Sequence, residues 1–148
     1  MTVLERNLEL AKLRLKDRGL NLVIVKEGKV IFETKSQGVG GFLRAIEKLG
    51  KRLVASAVAD KIVGAAAAML CAYSEVSSVF AVTISEKGIR VLEDNDIIYQ
   101  FETEVPNILN RDKTGICPFE KLVIGSKDPK EAYTKLKSFA VSGRKKLD

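Results

Sequence analysis

The run Ala65-Ala66-Ala67-Ala68-Met69-Leu70 constrains this chain more than any other segment. It is apolar around the whole helical circumference, and a helix without a polar face is buried on all sides. A chain of 148 residues can enclose such a helix only by placing a sheet beneath it and other helices around it. The alanines allow close approach to that sheet. Asp60 reads as an N-cap, so the central helix is expected to run from Lys61 to Tyr73, broken only by Gly64.

The flanking segments supply the partners. Thr2-Val3-Leu4-Glu5 reads as a capping box opening a helix over residues 1–18, with Leu4, Leu8, Ala11 and Leu15 on one face and Gly19 ending it. Leu20 to Val25 and Lys29 to Thr34 read as a hairpin around Lys26-Glu27-Gly28. Ser36 to Gly41 is expected to be a loop, and Phe42 to Leu49 a short helix stopped by Gly50. Ser78 to Ile84 reads as a buried strand, with Ser85 capping a helix to about Asp94. A strand over Ile97 to Thr103 and a short turn or helix over Val105 to Leu109 follow. A compact helix over Pro118 to Ile124 ends at Gly125, and the last helix runs from Asp128-Pro129 to about Val141. Nothing divides the chain, so one domain over residues 1–148 is expected, with a frayed basic tail at 143–148. Strand–helix alternation after a hairpin implies an α/β fold, a mixed sheet with helices on both faces.

Composition narrows the function classes. The net charge is +6, yet only Arg144-Lys145-Lys146 is a purely basic cluster, and no aromatic residues interleave with it as a nucleic-acid stacking platform needs. Nucleic acid is therefore not the expected partner. The apolar run within Ile62 to Ala72 is too short to span a bilayer, and the N-terminus has no signal-peptide core, so a cytoplasmic location is expected. Cys71 and Cys117 form no zinc-type spacing or disulfide framework. The chain has no histidine, the commonest general base and metal ligand.

Candidate chemistry gathers in two places. Asn110-Arg111-Asp112-Lys113-Thr114-Gly115-Ile116-Cys117-Pro118-Phe119-Glu120 is a polar loop closing on a helix start, with Pro118 at the first helical position. A thiol at a helix N-terminus beside cations is where a thiolate or a bound anion is stabilised. Asp60 and Lys61 stand at the expected start of the central helix. If both helices follow neighbouring parallel strands, their N-termini face one crevice. Asp60, Lys61, Asn110, Arg111, Lys113, Thr114, Gly115 and Cys117 are then the expected ligand-binding residues, suited to an anionic or polar ligand. Each has a plainer reading. Asp60 is a simple N-cap, and Cys117 an N-cap with Glu120 as its capping-box partner. Lys61 snorkels off a buried helix, while Arg111 and Lys113 sit in a solvated loop. Cys71 is inert core, and Tyr73, Tyr99 and Tyr133 are packing residues.

Ala59-Asp60-Lys61-Ile62-Val63-Gly64, taken with Asn110 to Asp112 and Gly115 to Glu120, resembles a small uncharacterised prokaryotic family. Its members are similar to the cytidine deaminase fold but lack its zinc site. The resemblance covers about Leu20 to Leu136 and implies a three-layer α/β/α sandwich of deaminase type, without bringing a known activity. True deaminases open one core helix with a His or Cys ligand, then Ala, then the catalytic Glu; here the matching residues are Asp60-Lys61-Ile62. They open the other with Pro-Cys-x-x-Cys, where this chain has Cys117-Pro118-Phe119-Glu120. Zinc normally needs three His or Cys ligands around an open position, so neither metal nor cofactor is expected. Three functions compete: a domain binding a nucleotide, nucleobase or other small anion; a metal-free enzyme using Cys117 as nucleophile or Asp60 and Lys61 as an acid/base pair; and a homo-oligomeric interaction or structural subunit.

Overall fold

In the computed structural model, the backbone is described for residues 1–147 and the side chains for residues 1–142. The elements run α1 (Val3–Asp17), β1 (Leu22–Lys26), β2 (Lys29–Thr34), α2 (Val39–Leu49), a 3-10 turn (Gly50–Leu53), β3 (Ala57–Val63), α3 (Ala65–Tyr73), β4 (Ser78–Ser85), α4 (Glu86–Asp94), β5 (Ile98–Val105), α5 (Pro118–Val123) and α6 (Pro129–Leu147). The five strands form one sheet in the order β2-β1-β3-β4-β5. β1 is antiparallel to both β2 and β3, whereas β3, β4 and β5 are parallel. The sheet is therefore mixed, with helices on both faces.

Local chemistry sets most boundaries. Thr2 Oγ accepts the Glu5 N–H at 3.1 Å, capping α1, and Gly19 leaves the helix at a φ of +59°. Glu27 and Gly28 both have positive φ, at 51° and 76°. That pair makes the two-residue turn whose twist matches a hairpin. Leu8, Ala11 and Leu15 of α1 pack with Val23, Val25, Ala57, Ala59 and Phe80 on one face of the sheet. Leu4, expected on that face, is 41% exposed, because it precedes the part of the helix that meets the sheet.

The opposite face carries the main core. Leu22, Ile24, Val58, Val79 and Ala81 lie beneath α2 and α3, with Leu92, Val123 and Leu136 of the later helices joining them. Tyr73 of α3 stacks on Tyr133 of α6 with ring centroids 4.2 Å apart, and Phe119 of α5 meets Phe139 of α6 edge-on at 5.2 Å. α3 is thus enclosed by the sheet below, helices beside it and α6 above. Ala65 to Ala68, Leu70 and Cys71 are buried, as the alanine run requires, while Met69 and Ala72 are half-buried and Tyr73 reaches the surface.

Four expectations need correction. Residues 57–63 are a central strand, so Asp60 and Lys61 lie in β3, and the helix opens at Ala65 with Gly64 as its N-cap. Ala57 and Ala59 face α1 while Val58 faces α3. Small residues suit a strand pressed from both sides, which overrides their helical propensity. Helix α2 starts at Val39, inside the expected loop. Residues 106–109 form no helix; Leu109 instead bridges Ile116. α6 extends beyond Val141 to Leu147. The side chains of 143–147 and all of residue 148, where the basic tail was expected to fray, lie outside the described residues.

Candidate functional site

Helices α3 and α4 begin where the parallel strands β3 and β4 end. The α3 start is built around a carboxylate from a distant element. Glu120, in the first turn of α5, accepts the Ala65 N–H at 2.8 Å and the Ala66 N–H at 2.7 Å. Those are orphan donors of a helix with no side-chain cap of its own. Glu120 is 8% exposed. Burial raises its carboxyl above the ordinary carboxylate range, while the two N–H groups and the charge of Lys87 hold it down.

Gly64 makes this contact possible. A Cβ there would collide with the Glu120 carboxylate. On α4, a Cβ on Gly88 would stand 2.9 Å from Val63 O and 3.2 Å from the Gly64 carbonyl carbon. Ser85, buried at the α4 N-cap, accepts the Gly88 N–H at 3.0 Å. Three helix starts therefore meet around Gly64, and the anion-binding capacity of α3 is taken up by the protein's own Glu120.

Asp60 lies four residues before Gly64. By strand alternation it shares the helix-facing side of β3 with Val58, paired with Leu22 of β1 and Ala81 of β4, both core residues. Its Oδ1 accepts the Ile62 N–H at 3.3 Å, a long bond. Burial pushes its carboxyl up to about 7, against weaker pulls from the Ile62 and Lys61 N–H groups. The Asp60 charge and, more strongly, burial raise the thiol of Cys71 on α3, which places Cys71 in the inert core. Asp60 is half-buried.

The other expected site residues are dispersed. Lys61 is exposed, and alternation turns it to the α1 face of the sheet, away from Asp60. Asn110 folds its own loop: Oδ1 accepts the Thr114 N–H at 3.0 Å and Nδ2 donates to Thr114 Oγ1 at 3.1 Å. Asn110 N–H also bonds Gly115 O at 2.9 Å, and Lys113 N–H bonds Asn110 O at 3.1 Å. Arg111 and Lys113 are exposed on this closed turn. Cys117 is half-buried at the α5 N-cap and its side chain makes no capping bond. Glu120 does not return to Cys117 as a capping-box partner because its carboxylate is engaged at α3. The starts of α3 and α5 are joined by Glu120, a residue whose place in the sequence points instead to a local capping role.

Helices α2, α3 and α4 open with Gly38-Val39-Gly40, Gly64-Ala65-Ala66 and Ser85-Glu86-Lys87. None of these three brings a His or Cys ligand, whereas α5 opens with Cys117. Among the described residues, no three His, Cys, Asp or Glu side chains are grouped to hold a metal. Surface clefts occur along Asp128–Lys135 and between Met69, Val91 and Lys127, and their linings include none of the expected site residues. Among the described residues no helix is long and apolar enough to cross a membrane.

Comparison with solved structures supports the fold. A DUF1893 family protein (TM1506) from Thermotoga maritima, known from its crystal structure, is 28% identical with a TM-score of 0.81, over 90% of this chain and 90% of that one. Acinetobacter baumannii RibD, in its form 2, is 16% identical with a TM-score of 0.51 over 68% of this chain; the match spans 36% of RibD, so only a part of that protein is shared. The dCMP deaminase of the cyanophage S-TIM5 is similar at a TM-score of 0.47 and 14% identity, over 71% of this chain. The α/β architecture, a mixed five-stranded sheet with helices on both faces, is shared with the matched part of RibD. A comparison with curated proteins finds no match. The model of the domain of unknown function DUF1893 (TM1506) matches residues 10–140, and the chain belongs to that family.

Proposed function

We propose that this protein binds a small uncharged heterocycle of nucleobase type, with Asp60 accepting its N–H donors. The observation that carries this reading is the placement of the Asp60 carboxyl, half-buried on the α3 side of the central strand beside core residues, where burial raises it to about 7. A carboxyl held this way without a cationic partner destabilises the fold when ionised, and such groups cluster at functional sites. It is matched by a ligand that brings N–H groups into a dry setting, where a charge-assisted hydrogen bond is strongest. Glu120 already fills the α3 N-terminus, which turns the ligand class from anions toward neutral donors. The alternative enzyme built on Cys117 has no supporting contact at its thiol, and the chain has no histidine to activate one.

Titration calorimetry with cytosine, uracil, adenine and guanine at pH 8 tests the reading. Saturable binding of at least one base is expected, weakened about 10- to 100-fold by Asp60→Asn, as loss of a charged hydrogen bond implies. Absence of binding at millimolar base, or binding indifferent to Asp60→Asn, overturns it.

A further inference from the structure

The sheet ends differently at its two edges. β2 is blunted: it carries Lys29, and its pairing with β1 shifts register between Ile24 and Val25. β5 is eight residues long, IYQFETEV, without Pro, Gly, Lys or Arg, and runs parallel to β4 in regular register. Natural edges are protected by short length, bulges, Pro or charge; β5 is long and regular, and Glu102 and Glu104 are its charged residues. Ile98 is 59% and Phe101 39% exposed. Tyr99 and Phe101 stack with centroids 6.2 Å apart on the helix-facing side.

The hydrogen-bonding direction is fixed. Ile98 N–H donates to Ser77 O, toward β4. By alternation, the amides and carbonyls of Tyr99, Phe101 and Thr103 point away from the sheet. We infer that β5 pairs antiparallel with β5 of a second copy of this chain, about a two-fold axis through Phe101, making one continuous sheet of both copies. This register sets Phe101 opposite Phe101 and Tyr99 opposite Thr103, so all three outward residues exchange both backbone bonds. It gathers the exposed Phe101 and half-buried Tyr99 rings of both copies into one cross-strand cluster. It also keeps like charges apart: Glu102 faces Gln100 and Glu104 faces Ile98. Glu102 is already neutralised by Lys16 of its own chain. An acidic strand that avoids its own carboxylates in this register is self-complementary, as an isologous two-fold contact requires.

Sedimentation velocity and hydrogen exchange on the full chain test the pairing. The wild type is expected to sediment as a dimer, and Phe101→Lys as a monomer with unchanged circular dichroism. If Phe101→Lys fails to fold, exchange on the wild type decides alone. Amides of Tyr99, Phe101 and Thr103 should gain protection as concentration rises, while those of Gln100 and Glu102, already directed to β4, should not change. A monomeric wild type, a dimer that survives Phe101→Lys, or rapid exchange at Tyr99, Phe101 and Thr103 at every concentration overturns the inference.

Discussion

At residue 64 the absence of a side chain decides how α3 starts. Glu120 can reach the Ala65 and Ala66 amides only because nothing projects from Gly64. Gly64→Ala should displace the carboxylate, leaving two buried amides and a charge unpaired, at a cost of about 3 kcal/mol. In a Glu120→Ala background the same methyl has room, and its cost should fall below about 1 kcal/mol. Urea unfolding of both singles and the double measures this coupling. Additive losses would show that Gly64 and Glu120 act independently. Glu120 was hidden in the sequence because its partners lie 54 and 55 residues away. Its position three residues after Cys117 already satisfied a local capping pattern. One signal was available: with the helix start moved to Ala65, no Ser, Thr, Asp or Asn stands at its N-cap, so its amides need a distant acceptor.

At the scale of elements, legibility followed the locality of the cause. The hairpin, α1, α4 and α5 are set by turn and cap residues a few positions apart, and their sequences announce them. β3 is set by neighbours far along the chain. Ala57, Ala59 and Asp60 resemble a helix approach, but β1 and β4 supply the hydrogen bonds on both sides, and α1 and α3 demand small or paired residues. Placing Asp60 in a strand changes its meaning from a cap to a desolvated acid. The same sheet geometry brings α4 against the β3–α3 turn at Gly88. A methyl at that position meets backbone rather than a movable side chain, so Gly88→Ala should cost about 2 kcal/mol despite the better helical propensity of Ala. Thermal unfolding checks it; an unchanged or raised Tm would mean that α4 shifts freely.

For the whole molecule, the buried carboxyls make stability depend on pH. Asp60 has an ordinary value of 3.8 and is raised to about 7 in the fold. Between these values the folded state holds a proton that the unfolded state has released, so stability falls as pH rises through that window and levels off above about 7. Glu120 is raised and acts in the same sense. Glu33 and Glu131, lowered by Arg14 and by the Lys127 amide, contribute in the opposite sense at lower pH. Subtracting a variant that cannot ionise at residue 60 isolates the term that matters. Each tenfold change in proton affinity is worth roughly 1.4 kcal/mol, so the Asp60 contribution amounts to a few kcal/mol at full ionisation. The decisive measurement is therefore the unfolding free energy of the wild type and of Asp60→Asn from pH 4 to pH 8. The two should nearly coincide at pH 4, and Asp60→Asn should be the more stable by a few kcal/mol at pH 8. A constant difference across that range, or a wild type that gains on the variant as pH rises, would contradict a desolvated Asp60 without a cationic partner.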